Sequence, residues 1–293
     1  MDLAPFIEEV KKQKLKVEGI VVNQGEEGVS HRFISEARRN VYSVSKSFTS
    51  IAIGMAVDEG KLKLSDLVTD FFPHEGNSAN PDSDKRWNSL TLENLLTMTM
   101  GHAEFCRPQS VKEALSYELE WNPGNRFFYD NTSTFLASAM FTNATGRKVL
   151  DCLTEKLFGP LDIPEPYWPE SKDGYTIGAT GLELNTSEMA LFGSFLLRRG
   201  NWKGKQLVSS SWIEGATRTQ VPTRPDQSKP DYDLGYGYQF WTCRHGAFRC
   251  DGKDGQFIIV LPALDAVIAI NSEEENMKNI LWAVWDYVLP GLR

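Results

Sequence analysis

The stretch from Val41 to Val57 constrains this chain most. Phe48, Ile51, Ala52, Met55 and Ala56 recur at i, i+3, i+4, i+7 and i+8. That is the apolar stripe of a helix with one buried face, and Gly60 stands where a C-terminal cap belongs. The spacing predicts a helix with Ser43 at its start. Ser43 and Lys46 then lie one turn apart on one face, within mutual reach. A serine hydroxyl attacks a carbonyl only when a base takes its proton. A lysine becomes such a base when burial and neighbouring cations lower its pKa. Unpaired N–H groups at the helix start suit an oxyanion. The plainer alternative is a helix-capping Ser43 and a solvated Lys46.

Around this helix the chain changes texture twice. It opens with a helix over residues 3–14, a strand over Lys16–Val22, a turn over 23–28 and a second strand near Ser30–Ile34. From Leu62 to Arg199 the pattern is helical: Leu90–Met98 capped by Ser89 or Thr91, Thr132–Thr145, Val149–Leu157, and Ser187–Arg199 begun by a hydroxyl cap with Glu188. Loops over Pro73–Arg86 and Pro160–Tyr175 separate these helices. Beyond Gly200 a short helix from Trp212 precedes strands at Tyr236–Cys243, Ala247–Cys250, Gln256–Leu261 and Ala266–Asn271, and a helix over Glu274–Tyr287 closes the chain. The expected class is α+β: an antiparallel sheet drawn from both chain ends, flanked by the N- and C-terminal helices, with a mainly helical domain inserted. Residues 1–42 and 201–293 would form the discontinuous sheet domain and residues 43–200 the helical one. Ser43 then falls at the seam, where small ligands usually bind.

The formal net charge of −8 over 293 residues argues against nucleic-acid or anionic-membrane partners, which call for a basic patch. A small-molecule or short-peptide substrate fits better, and the oligomeric state is unreadable. The longest apolar run, Phe257 to Ile270, is broken by Pro262 and Asp265, so it reads as two strands and a turn rather than a membrane span. The acidic, amphipathic start at Met1–Val10 lacks the features of a signal peptide, which points to the cytoplasm. Cys106, Cys152, Cys243 and Cys250 are too scattered for a disulfide framework. Cys243, His245 and Cys250 lack a paired C-x-x-C knuckle, so reduced thiols and no metal site are expected.

Two further segments carry candidate chemistry. In the turn-rich Asn122–Ser133 segment, Tyr129 and Asn131 precede a helix start. A phenol near Lys46 could shuttle a proton and an amide could hold a substrate carbonyl, or Asn131 could cap the helix and Tyr129 fill the core. Downstream, Lys253-Asp254-Gly255-Gln256 leads into an apolar strand, whereas the similar Lys172-Asp173-Gly174 has no strand after it. Lys253 would help depress the Lys46 pKa, Gly255 would let the backbone approach a substrate, and the Gln256 N–H could be a second oxyanion donor. The alternative is an exposed β-turn. Trp87, Tyr167, Tyr175, Tyr236 and Trp241 are candidates to line a cleft. His31, His74, His102 and His245 read as structural.

With Tyr42-Ser43-Val44-Ser45-Lys46-Ser47-Phe48, Leu95-Leu96-Thr97-Met98-Thr99-Met100-Gly101-His102, Pro123–Tyr129, Gly178-Ala179-Thr180-Gly181-Leu182 and Asp254-Gly255-Gln256-Phe257, the chain resembles the serine β-lactamase and penicillin-binding-protein superfamily. The closest likeness is to the class C β-lactamase-like branch with its DD-peptidases, esterases and 6-aminohexanoate-dimer hydrolase. This resemblance implies an acyl-enzyme mechanism without cofactor. Ser43 would be the nucleophile, Lys46 and Tyr129 would share the acid and base work in either order, Asn131 would position the substrate, and the N–H groups of Ser43 and Gln256 would hold the oxyanion. The third motif there usually carries a hydroxyl that binds the substrate carboxylate, and Asp254 takes that place here. That implies ester, amide or peptide substrates that are neutral or cationic at this point. A true β-lactamase or DD-peptidase, and a sensor that acylates without turnover, are the alternatives.

Overall fold

The computed structural model describes residues 1–73, 85–223 and 231–293. His74 and most of the loop expected over Pro73–Arg86 lie outside these described residues. The chain opens with helix α1 (Ala4–Gln13), then strands β1 (Val17–Gln24), β2 (Glu27–Arg32) and β3 (Arg39–Asn40). A 3-10 turn over Tyr42–Val44 feeds α2 (Ser45–Asp58). The helical stretch continues through α3 (Val68–Phe71), α4 (Leu92–Leu96), α5 (Val111–Ala114), α6 (Thr132–Thr145) and α7 (Val149–Leu153). It is followed by β4 (Glu183–Leu184), α8 (Thr186–Leu197), β5 (Asn201–Trp202), β6 (Lys205–Gln206) and α9 (Ser210–Thr217). Strands β7 (Trp241–Thr242), β8 (Phe248–Gly252), β9 (Gln256–Leu261) and β10 (Ala266–Ser272) precede α10 (Lys278–Ala283). Both α7 and α10 run on into wider i→i+5 turns, over Thr154–Phe158 and Val284–Val288.

Six strands form one antiparallel sheet in the order β2-β1-β10-β9-β8-β7. The two chain ends meet in it, with Ile20 of β1 opposite Ile270 of β10. Because β9 and β10 are buried on both faces, they read as unbroken apolar runs rather than alternating ones. Phe257, Ile259, Ile268 and Ile270 face a core closed by Phe6 and Val10 of α1 and by Ile280, Leu281 and Val284. Ile258, Val260, Val267 and Ala269 face the larger core, which contains α2, α6 and α8.

Helix α2 departs from the expected single stripe, since every residue from Ser45 to Ala56 is buried. A helix enclosed all round sits in the middle of a core. Phe48 stacks on Phe192 of α8 at 3.7 Å. At the far end Gly60 has φ +69°, and the N–H groups of Gly60 and Lys61 donate to the carbonyls of Val57 and Ala56, the expected glycine cap in Schellman form.

Several boundaries move. The cap of α8 is Asn185, in a reciprocal pair with Glu188, instead of a hydroxyl residue. The second strand starts earlier, at Glu27. Of the strand expected over Tyr236–Cys243 only Trp241 and Thr242 pair with β8. There the Tyr238 N–H donates to Ala216, the Gly237 N–H donates to Phe240, and Gln239 takes φ +69°, so the backbone coils against the helices before it can enter the sheet.

Candidate active site

Ser43 sits in the 3-10 turn between β3 and α2. The preceding Tyr42 has φ +48°, a conformation that L residues avoid and that surrounding contacts must enforce. Those contacts are present: Asn40 Oδ1 accepts from the Tyr42 N–H at 2.7 Å and from the Gly181 N–H at 3.2 Å. The Val41 N–H donates to Leu182 at 2.8 Å, alongside the β3–β4 pairing. The serine is thereby turned into a cleft of about 930 Å³.

Lys46, 1% exposed, points into the same place. Its Nζ lies 3.3 Å from Ser43 Oγ, 2.6 Å from Asn131 Oδ1 and 2.8 Å from the Ala179 carbonyl. Burial brings its pKa down to about 7, opposed by the Asp130 carboxylate and assisted by Arg107. A neutral amine has two N–H groups and one lone pair. With Asn131 and Ala179 accepting the two protons, the lone pair is left for the serine hydroxyl.

Tyr129 completes the group. Burial holds its phenol pKa well above that of a free tyrosine, while the neighbouring Ser43 side chain acts against that. Lys46 Nζ stands 5.1 Å from its ring centroid, and the ring packs on Trp241 and Tyr236. Asn131 makes no cap at the start of α6. Asp130 does that work, accepting from the Ser133 N–H at 2.6 Å and from the Ser133 hydroxyl at 2.9 Å. Burial raises the Asp130 pKa, while Ser133, His102 and Lys46 favour its ionised form.

The third segment is arranged differently from expectation. Lys253 lines the cleft, but its side chain is 66% exposed and lies over the Tyr42 ring at 5.7 Å. Arg107, not Lys253, is the cation that acts on Lys46. Asp254, Gly255 and Gln256 are not among the cleft-lining residues. A Cβ on Gly255 would come within 2.6 Å of Ile280, the Gln256 amide is bonded to Asn271 and Ser272 of β10, and Asp254 pairs with Lys253 at 3.5 Å. Gln256 pairs with Gly252 in the β8–β9 ladder. The backbone that does approach the serine turn is Gly252, where a Cβ would sit 2.3 Å from the Val41 carbonyl. Asp251, one residue earlier, lines the cleft. Its carboxylate accepts from Arg249 Nε at 2.8 Å and from the Tyr232 hydroxyl at 2.8 Å. Burial raises the Asp251 pKa, and Arg249 and Tyr232 act against that.

Ser43, Lys46, Tyr129, Asn131 and Lys253 are therefore brought together. Asn40, Asp130, Ala179 and Asp251 are additions to the sequence reading. Asp130 had a readable signal, an Asp three residues before Ser133 at a helix start; a backbone carbonyl such as that of Ala179 has none. Of the candidate aromatic residues only Trp241 lines the cleft, joined by Phe105, Phe127 and Tyr232. Trp87 is core, Tyr236 is buried behind Trp241, and Tyr167 is exposed. Among the described residues no helix is long and apolar enough to cross a membrane.

A family model described as Beta-lactamase matches residues 21–283. The Beta-lactamase of Escherichia coli (strain K12) is 30% identical over 128 residues, which cover 41% of this chain and 32% of that protein. The matched stretch is thus about a third of that relative's length. Two solved structures share the fold: the octameric penicillin-binding protein homologue from Pyrococcus abyssi (TM-score 0.78, 20% identity, covering 100% of this chain and 78% of that one), and a beta-lactamase from Mycobacterium bovis (TM-score 0.71, 22% identity, covering 98% of each).

Proposed function

The chain belongs to the beta-lactamase family, and from that premise we propose that it is a serine hydrolase that cleaves esters or amides through an acyl-enzyme on Ser43. The observation that carries this reading is the buried Lys46 amine 3.3 Å from Ser43 Oγ, with both of its N–H groups already committed elsewhere. In this reading neutral Lys46 takes the hydroxyl proton as Oγ bonds to the carbonyl carbon. The Ser43 N–H stabilises the oxyanion, with a second donor from the end of β8 at Gly252–Lys253. Tyr129 stays protonated at neutral pH, so it serves as proton donor to the leaving group. The Lys46 ammonium then restores the Tyr129 proton, water attacks the Ser43 ester as neutral Lys46 takes its proton, and that proton passes to Ser43 Oγ as the acyl group leaves.

Asp251 bears on the substrate class. Beside burial it helps to raise the Tyr129 phenol pKa, against the effect of its ion-pair partner Arg249, so a partly offset carboxylate faces the group next to the reacting carbonyl. A negative charge on the substrate there would be disfavoured by roughly 1 kcal/mol at contact distance in a partly solvated site. Neutral or cationic substrates are the consequence.

Rates on nitrophenyl esters, D-amino-acid amides and nitrocefin, measured beside Ser43→Ala, test the proposal. Loss of a nucleophile of this kind costs about 10⁴-fold or more in kcat, and the intact mass of the wild-type protein should show an acyl adduct absent from the variant. Undiminished hydrolysis by Ser43→Ala would overturn it. Asp251→Asn should narrow the preference for cationic over anionic esters about fivefold, the rate equivalent of 1 kcal/mol; an unchanged ratio would remove Asp251 from the reading.

A further inference from the structure

We propose that the loop bordering the cleft holds a zinc ion through His102, Glu104 and Cys106. One ring nitrogen of His102, a carboxylate oxygen of Glu104 and the Cys106 sulfur all lie within 4.8 Å of one another. Imidazole, carboxylate and thiolate at alternate residues of one loop form a mixed N, O, S donor set, which suits zinc better than the harder magnesium or calcium ions. Cys106 Sγ is already 3.9 Å from Glu104 Oε2, held there by a tight turn in which the Cys106 N–H donates to the Glu104 carbonyl at 3.1 Å. Adjacent donors in a tetrahedral zinc site stand about 3.5 Å apart, given bonds of about 2.0–2.3 Å, so modest side-chain rotation closes the set.

The second, independent observation is the histidine itself. His102 is only 3% exposed, and its Nδ1 has no hydrogen-bond partner among the described residues. A buried polar atom of this kind normally has one. Its ring is fixed by stacking on Tyr117 at 5.1 Å with an 18° tilt, and the Tyr117 hydroxyl is tied to Glu113 at 3.0 Å. Such support orients a ligand before the metal arrives.

Three protein ligands leave a fourth position for water. The ion would lie in the loop that sends Phe105 and Arg107 into the cleft, so its binding would fix the rim that a substrate passes. The test of this site uses no turnover, so its outcome does not depend on the reaction proposed at Ser43. Cobalt(II) is titrated into the chelator-treated protein of residues 1–293, followed by zinc competition. The expected result is one equivalent bound with a thiolate-to-cobalt absorption band, displaced by zinc. Cys106→Ser should abolish the band, Glu104→Gln should weaken binding at least about tenfold, and Cys152→Ser should change nothing. Both ligand variants alter solvent-accessible side chains, so folding is preserved. Absence of stoichiometric binding, or a band that survives in Cys106→Ser, would overturn the proposal.

Discussion

At the scale of single residues the site depends on one displaced titration. The Lys46 pKa of about 7 lies well below the ordinary value of 10.5. The base form therefore gains population as pH rises through 7, and kcat/KM should climb along a limb centred near 7. The two named charges move that limb in opposite directions. Arg107 lowers the Lys46 pKa, so Arg107→Ala should shift the limb to higher pH by a fraction of a unit. Asp130 raises it, so Asp130→Asn should shift the limb to lower pH. A pH–rate profile for each variant measures both, and movement in the same direction would refute the assignment of Lys46 as base. The same displacement has a thermodynamic side. Between the folded and the ordinary pKa the unfolded chain binds more protons than the folded one, so this residue makes stability rise as pH increases over that window. The protein thus carries a buried amine at the expense of stability near neutral pH.

At the scale of elements, α2 shows where packing overrides propensity. Gly54 lies in the middle of this helix, where alanine is preferred by about 1 kcal/mol. A Cβ there would come within 2.4 Å of the Trp212 ring on α9. Gly54→Ala should therefore destabilise the protein, with overpacking of about 1–3 kcal/mol outweighing the helix gain, seen as a lower melting temperature. An unchanged or raised value would mean that Trp212 moves freely. Gly54 also shows what a sequence conceals. Periodicity made the interior helices readable: α6 falls at Thr132–Thr145 as expected, and β9 at Gln256–Leu261. The Ser43, Lys46, Tyr129 and Asn131 set was readable because each residue type has its own chemistry at a recognisable spacing. In the third segment Asp251 and Lys253 line the cleft and Asp254, Gly255 and Gln256 do not, a difference that a lysine before a glycine leaves open because it looks alike on a strand and on the loop after it. Side-chain direction decides between Asp251 and Asp254, and that is set by sheet register rather than by local sequence.

At the scale of the whole molecule, the cleft requires the helical half and the sheet to hold a common alignment, and Gln239 provides much of that link. It is 2% exposed and precedes β7. Its amide oxygen accepts from the Thr134 hydroxyl of α6 at 2.6 Å, and its amide nitrogen donates to Leu96 at 2.9 Å and Leu95 at 3.2 Å at the end of α4. Its own carbonyl accepts from Ser47 of α2 at 2.8 Å. One side chain and its backbone thus join three helices to the strand next to β8, which carries Asp251. Gln239→Met preserves length and apolar bulk but leaves the Thr134 hydroxyl and two carbonyl groups without this partner. Each such loss in a buried setting costs about 1–3 kcal/mol, so stability should fall by at least about 2 kcal/mol in urea unfolding. Because Lys46 keeps its acceptors Asn131 and Ala179, the pH limb near 7 should persist while kcat drops through misalignment of β8 against the serine turn. A variant as stable as wild type, or one whose limb moves while kcat is retained, would place the alignment of the two halves elsewhere.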